Sequence, residues 1–402
     1  MSPAATTQET APSHAPGPSK GAAAASTLAP SVEHDKAAEL VDRLIHKLLN
    51  NEDTNKEFLL PLADGRIIDT KGWNGWEWTH GVALFALWEH HALTADRRSL
   101  DIITKWFHDR MAEGGTTKNI NTMAPFLALA SIYERNPRPQ YKEWLLEWAE
   151  WAMNGLPKTH EGGFQHMTYI DDHDGQLWDD TLMMTVLPLA KIGLVLDRPE
   201  FVDEAKYQFL VHIKYLSDSR TGLWYHGWNF NGRHNFAKAL WARGNCWITV
   251  AIPVFLSLLG VQPDTSDFFT RTLLATLRAQ LDQLTKLQDP QTGLFHTLLD
   301  DPNSYLESSA TAGFAAGTLL ALRNGFLSSS PNAAAYASMA QKALGGVVSM
   351  IADDGELQNT SFGTAMGNDL DFYRNIAITP MPYGQALALF AVVQDMALAT
   401  KP

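Results

Sequence analysis

The sequence lacks several features that would identify whole classes of protein. Its 402 residues contain one cysteine, Cys246, so a framework of disulfide bonds within the chain is excluded and nothing requires an oxidising compartment. No run of about 18 apolar residues is present, so we expect no transmembrane helix and no membrane partner. Basic residues are outnumbered, with 31 Lys and Arg against 44 Asp and Glu. The resulting net charge of −13 argues against a nucleic-acid partner.

The N-terminal segment also lacks a recognisable targeting pattern. Residues 1–31 are rich in Ala, Pro, Ser, Thr and Gly, a composition typical of a disordered tail. They contain no basic stretch followed by an apolar block, as a secretory signal would. The first arginine is Arg43, which disfavours a mitochondrial transit peptide. We therefore predict a disordered tail over residues 1–31, a single domain over residues 32–402, and a cytoplasmic location.

Strand signals are scarce in that domain, and helical patterns dominate it. Strongly apolar segments alternate with segments that carry charges at helical spacing. The apolar segments are residues 79–88, 123–133, 181–196, 247–259, 311–322 and 384–398. The amphipathic segments are residues 36–49, 97–111, 140–153, 199–216, 267–287 and 333–351. Helices that are apolar all round belong inside a protein, and helices with one polar face belong outside. Six such pairs predict an all-α fold, an (α/α)6 barrel of six inner and six outer helices. A solenoid of helix pairs would not need such uniformly apolar inner helices.

A second repeat lies between each of several outer helices and the inner helix that follows. It contains glycine, an apolar residue and histidine, at residues 163–166, 222–226 and 292–296, with a weaker copy at 354–357. Glycine is a common stop signal after a helix. We expect these loops to gather at one end of the barrel, over the N-termini of the inner helices. Loops on a rigid scaffold are where sites are usually built, and helix N-termini favour anions.

The third inner segment opens with two adjacent carboxylates, Asp179 and Asp180, after Trp178. One carboxylate is explained as a helix cap, which leaves the other for chemistry. An apolar neighbour such as Trp178 raises a carboxyl pKa toward the range useful for acid–base catalysis. Aspartate and histidine are dense over residues 163–180, but their spacing matches no EF-hand or zinc pattern. We predict no metal.

Aromatic residues and one arginine also head the inner segments. Trp73, Trp76 and Trp78 precede the first, and we favour a sugar-stacking platform over core packing for them. Arg243 lies between Trp241 and Trp247. It is interpreted as a bidentate clamp for a substrate carboxylate, with a structural ion pair as the alternative.

We call the end of the barrel where these loops gather the mouth, and the loop before each inner helix a mouth loop. The second mouth loop contains Asn121, followed by Thr122 and Pro125. Asn121 either caps a helix or points into the mouth, and the sequence supports the two interpretations equally.

The motifs, in this order, resemble the unsaturated rhamnogalacturonyl hydrolases of glycoside hydrolase family 105, relatives of the unsaturated glucuronyl hydrolases of family 88. The resemblance spans roughly residues 36–400. The matching pieces are Trp178-x-Asp180-Thr181-Leu182-x-Met184, Gly222-Leu223-x-Tyr225-His226, Trp241-x-Arg243-Gly244-Asn245-x-Trp247, Ser304-Tyr305-x-Glu307-x-Ser309-x-Thr311-Ala312 and Tyr383-Gly384-Gln385.

The resemblance implies an (α/α)6 barrel and a specific reaction on an anionic oligosaccharide. Enzymes of this kind remove a 4,5-unsaturated uronic acid from the non-reducing end of lyase-generated oligosaccharides by hydrating the C4=C5 vinyl ether, without a metal or organic cofactor. By motif, Asp180 is expected to be the general acid/base. The expected substrate-binding residues are Asn121, His226, Arg243, Trp247, Trp78, Trp178 and Trp241.

One departure keeps alternatives open. The family often has Asp where this chain has Asn121, and an amide cannot share acid–base work. A sugar epimerase or isomerase would instead use paired histidines, for which His166, His226 and His296 are candidates. A carbohydrate-binding protein without catalysis is the third reading. The aglycone stays open, as does the choice between a monomer and a homodimer.

Overall fold

The computed structural model describes residues 28–61, 65–263, 265 and 267–399, so most of the predicted tail lies outside the described residues. The helices are α1 His34–Leu49, α2 Trp78–Thr94, α3 Arg97–Ala112, α4 Phe126–Arg135, α5 Pro139–Asn154, α6 Leu187–Val195, α7 Pro199–Leu216, α8 Ala242–Leu258, α9 Phe268–Leu287, α10 Ser308–Arg323, α11 Ala333–Ser349, α12 Leu370–Arg374 and α13 Pro382–Met396. The strands are β1 Leu59–Pro61, β2 Ile67–Asp69, β3 Gln176–Trp178, β4 Gly227–Asn229, β5 Phe295–His296 and β6 Leu306–Glu307.

The apolar segments form a closed inner ring. Helices α2, α4, α6, α8, α10 and α13 each pack against the next, and α13 packs against α2. Their side chains are buried on nearly every face. This matches the sequence, because a helix without a polar face must be surrounded by other helices. The predicted (α/α)6 barrel is confirmed.

The amphipathic segments form the outer ring. Helices α3, α5, α7, α9 and α11 pack against the inner helix that precedes each of them in the chain. Helix α1 has no such predecessor, and it packs against α13. The first outer helix and the last inner helix therefore complete the double ring. None of the helices in the described ranges is long and apolar enough to cross a membrane.

The chain just before α1 is held by the end of α13. The buried carboxylate of Asp395 accepts hydrogen bonds from the backbone N–H of Ser31 at 2.9 Å, from its hydroxyl at 3.0 Å, and from the N–H of Val32 at 3.0 Å. Leu28 packs against the core. Residues 28–31, assigned to the tail by composition, thus contact the barrel.

Glycines of the loop repeat brace neighbouring outer helices. Gly222 has φ +78°, and a Cβ there would lie 2.5 Å from the backbone of Ala279 in α9. Gly355 has φ +89°, and its Cβ would lie 2.4 Å from the carbonyl oxygen of Arg43 in α1. Glycine is required at both positions by conformation and by contact. Each of these loops therefore ends the outer helix before it and also packs against the next outer helix of the ring.

Candidate active site

A cavity of about 280 Å³ opens at the N-terminal ends of the inner helices. Its wall includes the starts of α2, α8 and α13, the short 3₁₀ helix Asn121–Met123, and loop residues 168–170 and 362–365. Six residues of the predicted site line it together: Trp78, Asn121, Trp178, Asp180, Trp241 and Arg243. The other two, His226 and Trp247, are buried and do not line it.

Asp180 is positioned by a short antiparallel pairing between distant loops. Strand β3 pairs with β4 so that Trp178 lies opposite Gly227. The next backbone N–H, that of Asp179, donates to the carbonyl of His226 at 3.1 Å. This register brings Nε2 of His226 to 3.3 Å from Oδ2 of Asp180. His226 therefore lies behind the carboxylate rather than on the cavity wall.

The backbone that follows Asp180 is a π-helical segment, Leu182–Val186, which continues into α6. Such segments are rare and often occur at functional sites. The Thr185 hydroxyl donates to the carbonyl of Ile120 at 2.8 Å. That contact joins the Asp180 segment to the loop carrying Asn121.

The two adjacent carboxyls have opposite electrostatic surroundings. Burial raises the pKa of Asp179 well above its usual range, and the negative charge of Asp180 raises it further. Burial acts in the same direction on Asp180, but the hydrogen bond and charge of His226 outweigh it and lower the pKa of Asp180 below its usual range. The raised pKa expected beside Trp178 is therefore wrong for Asp180, because the histidine was not foreseen as its direct partner. These surroundings favour the proton on Asp179 and the negative charge on Asp180.

Trp178 forms a stack with histidine at the side of the cavity. The ring of His166 lies parallel to the Trp178 indole, with centroids 4.2 Å apart. Its Nδ1 is 2.9 Å from the hydroxyl of Thr181. Burial lowers the pKa of His166 to about 3, so this ring is neutral at neutral pH. Trp178 thus offers the substrate little free ring face on the side of His166.

Arg243 is used differently from the sequence interpretation. One terminal nitrogen donates to the carbonyl of Ser361 at 2.9 Å, and the other donates to the carbonyl of Phe362 at 2.7 Å and to the hydroxyl of Thr364 at 3.0 Å. The guanidinium lies 4.6 Å from the Trp241 ring and 4.8 Å from the Tyr383 ring. The terminal nitrogens therefore anchor the 361–364 segment, which forms part of the wall. Nε is the nitrogen of this side chain without a hydrogen-bond partner.

The three tryptophans of the first mouth loop have separate roles. Trp78 stacks on Tyr383 at 4.5 Å, meets the edge of Trp247 at 5.9 Å, and lines the cavity. Trp76 is buried in an aromatic cluster and donates to the carbonyl of Thr122 at 2.8 Å. Trp73 is partly buried against the core. The platform interpretation is therefore wrong for Trp76, and Trp78 is the one of the three on the cavity wall.

The two readings of Asn121 can now be separated. The side chain of Asn119 accepts from the backbone N–H groups of Asn121 and Thr122, at 2.9 and 3.1 Å. Capping is thus performed by Asn119, and Asn121 lines the cavity.

Several wall residues were missed by the sequence analysis, and the main one is Glu77. It is the N-cap of α2, is 1% exposed, and accepts from the N–H of Trp78 at 3.0 Å. Burial raises the pKa of Glu77 to about 8. An acidic residue at the head of an inner helix is the same signal that singled out Asp180, and it was available here. Tyr169 and the 362–365 segment carried no such signal.

Within the described ranges, Asp179, Asp180 and His226 are the group of acidic and histidine side chains close enough to hold a cation. One ligand atom from each lies within 4.8 Å of the others. Burial favours the protonated form of Asp179, and a metal ligand must be deprotonated. A cation at this group would therefore have to displace that proton.

Comparison with known proteins identifies the family. The model of Glycosyl Hydrolase Family 88 matches residues 50–398. The chain belongs to this family. One curated relative is the unsaturated rhamnogalacturonyl hydrolase YesR of Bacillus subtilis (strain 168), which is 30% identical to this chain over 317 residues. The match covers 78% of this chain and 88% of YesR.

Solved structures extend the comparison. A possible member of the GH105 family from Salmonella enterica serovar Paratyphi A is 54% identical, with a TM-score of 0.87, and the match covers 91% of this chain and 94% of that one. A possible GH105 member from Klebsiella pneumoniae is 53% identical, with the same TM-score and coverage. The family 88 chain is thus a glycoside hydrolase, homologous to an unsaturated rhamnogalacturonyl hydrolase.

Proposed function

We propose that this hydrolase removes a 4,5-unsaturated uronic acid from the non-reducing end of lyase-generated oligosaccharides, with Asp180 as general acid/base. The observation that carries the proposal is the carboxyl of Asp180 on the wall of a small cavity, with His226 behind it. The Asp180 side chain is 17% exposed, so it can reach a ligand. A cavity of about 280 Å³ is small for a ligand pocket and suits one sugar unit better than a long chain.

The chemistry needs one group that gives a proton and then receives one. In the proposed reaction, protonated Asp180 adds a proton to C4 of the vinyl ether. Its carboxylate then takes a proton from water as the water oxygen bonds to C5. The resulting hemiketal opens to a ketone and releases the rest of the oligosaccharide. The overall change is the addition of one water, and Asp180 is regenerated.

The proton for the first step comes from the buried carboxyl pair. Asp179 holds it in the free enzyme. An anionic uronate in the cavity disfavours the negative charge on Asp180, as any like charge nearby does. Substrate binding therefore shifts the proton of the pair toward Asp180. Asn121, which bears no charge, contributes a hydrogen-bonding amide to the same wall.

The substrate class is proposed from the relative. YesR acts, by its name, on unsaturated rhamnogalacturonyl substrates, and an unsaturated rhamnogalacturonan disaccharide is the first substrate to test. The single domain over residues 32–402, the cytoplasmic location and the monomeric or homodimeric state stay predictions. Of the three histidines named for the isomerase alternative, His166 lines the cavity, whereas His226 and His296 do not.

The test follows the ultraviolet absorbance of the conjugated double bond. The protein is incubated with unsaturated disaccharides that lyases generate from rhamnogalacturonan, glucuronan, ulvan and glycosaminoglycans. Loss of absorbance with at least one of them, together with product masses that show cleavage, is the expected result. Stable absorbance with all four contradicts the proposal. A product of unchanged mass would favour an isomerase, and tight binding without turnover would favour a carbohydrate-binding protein.

A further inference from the structure

The buried carboxyl of Glu77 is the one acidic group on the cavity wall that the proposed reaction leaves unused. Its Oε2 accepts from the N–H of Trp78, while Oε1 is buried and has no hydrogen-bond partner. Its backbone N–H donates to Nδ1 of His80 at 3.2 Å, which completes a capping box. A helix cap needs one of the two carboxyl oxygens. The second oxygen is not needed for the cap, and Glu77 lies on the cavity wall.

The groups that face the Glu77 carboxyl are neutral. The hydroxyl of Tyr169, from the loop over the cavity, interacts with the carboxyl and lowers the pKa of Glu77, as does the N–H of Trp78, but both effects are smaller than that of burial. On its own helix the neighbour is His80, whose pKa burial lowers to about 4, so that ring is neutral. Among the ion pairs of the described residues, Glu77 takes part in none. Burial without a cationic partner favours the protonated carboxyl.

The charged groups on the rest of the wall give an anion little support. The other acidic and histidine groups there are Asp180, which repels an anion, and His166 and His173, whose pKa values burial lowers. The terminal nitrogens of Arg243 are bound to the 361–364 segment, and its Nε has no hydrogen-bond partner. A protonated Glu77 would add an O–H donor to that nitrogen and to the amide of Asn121.

We infer that Glu77 is a substrate-recognition residue, whose carboxyl on the cavity wall donates a hydrogen bond to the uronate carboxylate. This inference rests on the proposed function and adds the residue that recognises the carboxylate of the substrate. An O–H donor to a carboxylate makes a short, charge-assisted hydrogen bond. Once ionised, the same group repels the substrate, so Glu77 also sets the alkaline limit of binding.

The pH range follows from the burial of the group. A glutamate with the ordinary pKa of 4.5 would be ionised at neutral pH, whereas burial raises the pKa of Glu77 to about 8. The donor is therefore present at pH 7 and is lost as the pH passes 8. Above that point KM should rise about tenfold per pH unit, while kcat changes little, because Glu77 does not transfer a proton to the reacting carbons.

The experiment compares the full-length protein with Glu77→Gln and Glu77→Asp. Glutamine keeps the cap and offers an N–H donor, yet it cannot ionise. We expect Glu77→Gln to bind at pH 7 with a KM raised less than about tenfold and to lose the alkaline rise of KM entirely. Asp267→Asn, which changes the carboxylate cap of outer helix α9, is the matched control and should keep the wild-type profile. A Glu77→Gln profile that retains the rise, or a wild-type KM that stays flat between pH 7 and 9.5, overturns the inference.

A second measurement separates this inference from the proposed function. Infrared difference spectra of wild type and Glu77→Gln should contain a protonated-carboxyl band that disappears in the variant and titrates near pH 8. If no carboxyl band is lost in Glu77→Gln, or if the lost band does not titrate near pH 8, the inference is overturned whatever the substrate. Absence of turnover with every unsaturated substrate overturns the proposed function and the recognition role with it. If the substrate is turned over and the rise of KM above pH 8 is unaltered in Glu77→Gln, the inference is overturned and the proposed function stands.

Discussion

Nε2 of His226 lies 3.3 Å from Oδ2 of Asp180, and Nδ1 of the same ring lies 2.8 Å from the hydroxyl of Tyr373. The histidine is thus held from behind by a buried phenol and faces the carboxylate with its other nitrogen. Such an arrangement fixes the orientation of the ring. It also explains why the carboxyl that the cavity exposes is the ionised member of the Asp179–Asp180 pair.

Replacement of Asp180 by asparagine should abolish most of the proposed activity. The amide keeps the size of the side chain but cannot give or take the proton, so kcat should fall by about 10²- to 10⁴-fold. The measurement is the loss of ultraviolet absorbance under saturating substrate. Asp101→Asn, on the exposed surface of α3, serves as the control and should retain full activity. An Asp180→Asn variant with wild-type kcat would rule out the assignment of the acid/base.

Replacement of Arg243 by lysine should loosen the 361–364 segment. Lysine is a single point charge and cannot reproduce the planar fork that reaches Ser361, Phe362 and Thr364 together. We expect the free energy of unfolding to fall by about 2 to 3 kcal/mol, since buried charged hydrogen bonds are lost, and KM to rise. Urea unfolding and steady-state kinetics measure both. Arg220→Lys is the control, because that side chain is 80% exposed, and equal losses in the two variants would contradict the anchoring role.

Glu77 should also make stability depend on pH. Its folded-state pKa, about 8, lies above the unfolded value of 4.5. Between these values the native state holds a proton that the unfolded state has released, so this group lowers the free energy of unfolding by about 1.4 kcal/mol for each rise of one pH unit. Its contribution is complete below pH 4.5 and is lost through pH 8. Relative to wild type, Glu77→Gln should therefore gain stability from pH 6 to pH 8 and show no further change above it. Urea titrations at four pH values test this, and a constant difference between the two proteins would show that Glu77 is already ionised.

Two glycine-to-alanine substitutions should have opposite effects on stability. In Gly222→Ala the new Cβ meets the backbone of Ala279 at 2.5 Å with φ at +78°, and we expect a loss of about 3 kcal/mol. In Gly345→Ala the Cβ meets nothing within 4 Å. Its helix α11 should gain about 0.5 to 1 kcal/mol. Thermal unfolding compares them, and a Gly222→Ala protein as stable as wild type would mean that the loop does not brace α9.

Chelation should leave the activity unchanged. The proposed reaction needs a proton on Asp180, and burial favours the protonated form of the neighbouring Asp179, which opposes cation binding by Asp179, Asp180 and His226. Turnover is measured after prolonged dialysis against EDTA and after addition of Ca²⁺, Mg²⁺, Mn²⁺ or Zn²⁺. Activity that disappears on dialysis and returns with one cation would show that Asp179, Asp180 and His226 act as metal ligands.

The helical ring could be predicted from the sequence because the apolar composition of each inner helix itself indicates that the helix is buried. A segment such as α8 is apolar on every face, and α9 beside it is not. The carboxylate–tryptophan start of the third inner segment could be found for the same local reason. Helix heads gather at one end once the ring is accepted, so Trp78, Asn121 and Arg243 were rightly expected near one another.

Partners that lie far apart in the chain could not be predicted in this way. The segment whose carbonyls bind the Arg243 guanidinium is 118 residues away from it, and no local sequence pattern predicts this contact. The same holds for Tyr373, which supports His226 across 147 residues. The pKa directions of Asp180 and Glu77 depend on burial and on such distant neighbours. Sequence motifs therefore indicated which groups lie at the mouth, but not which of them carry a proton.

The contact between α1 and α13 has a consequence for how the protein is made. Helix α1 is synthesised before the other helices of the double ring, and the apolar surface it covers belongs to α13, the last of them. The carboxylate of Asp395 that holds Ser31 is likewise synthesised late. Until then α1 has an uncovered apolar face, a state that favours association with other chains. Ring closure therefore waits for the synthesis of α13, and a nascent chain stalled before residue 382 should remain sensitive to protease at α1.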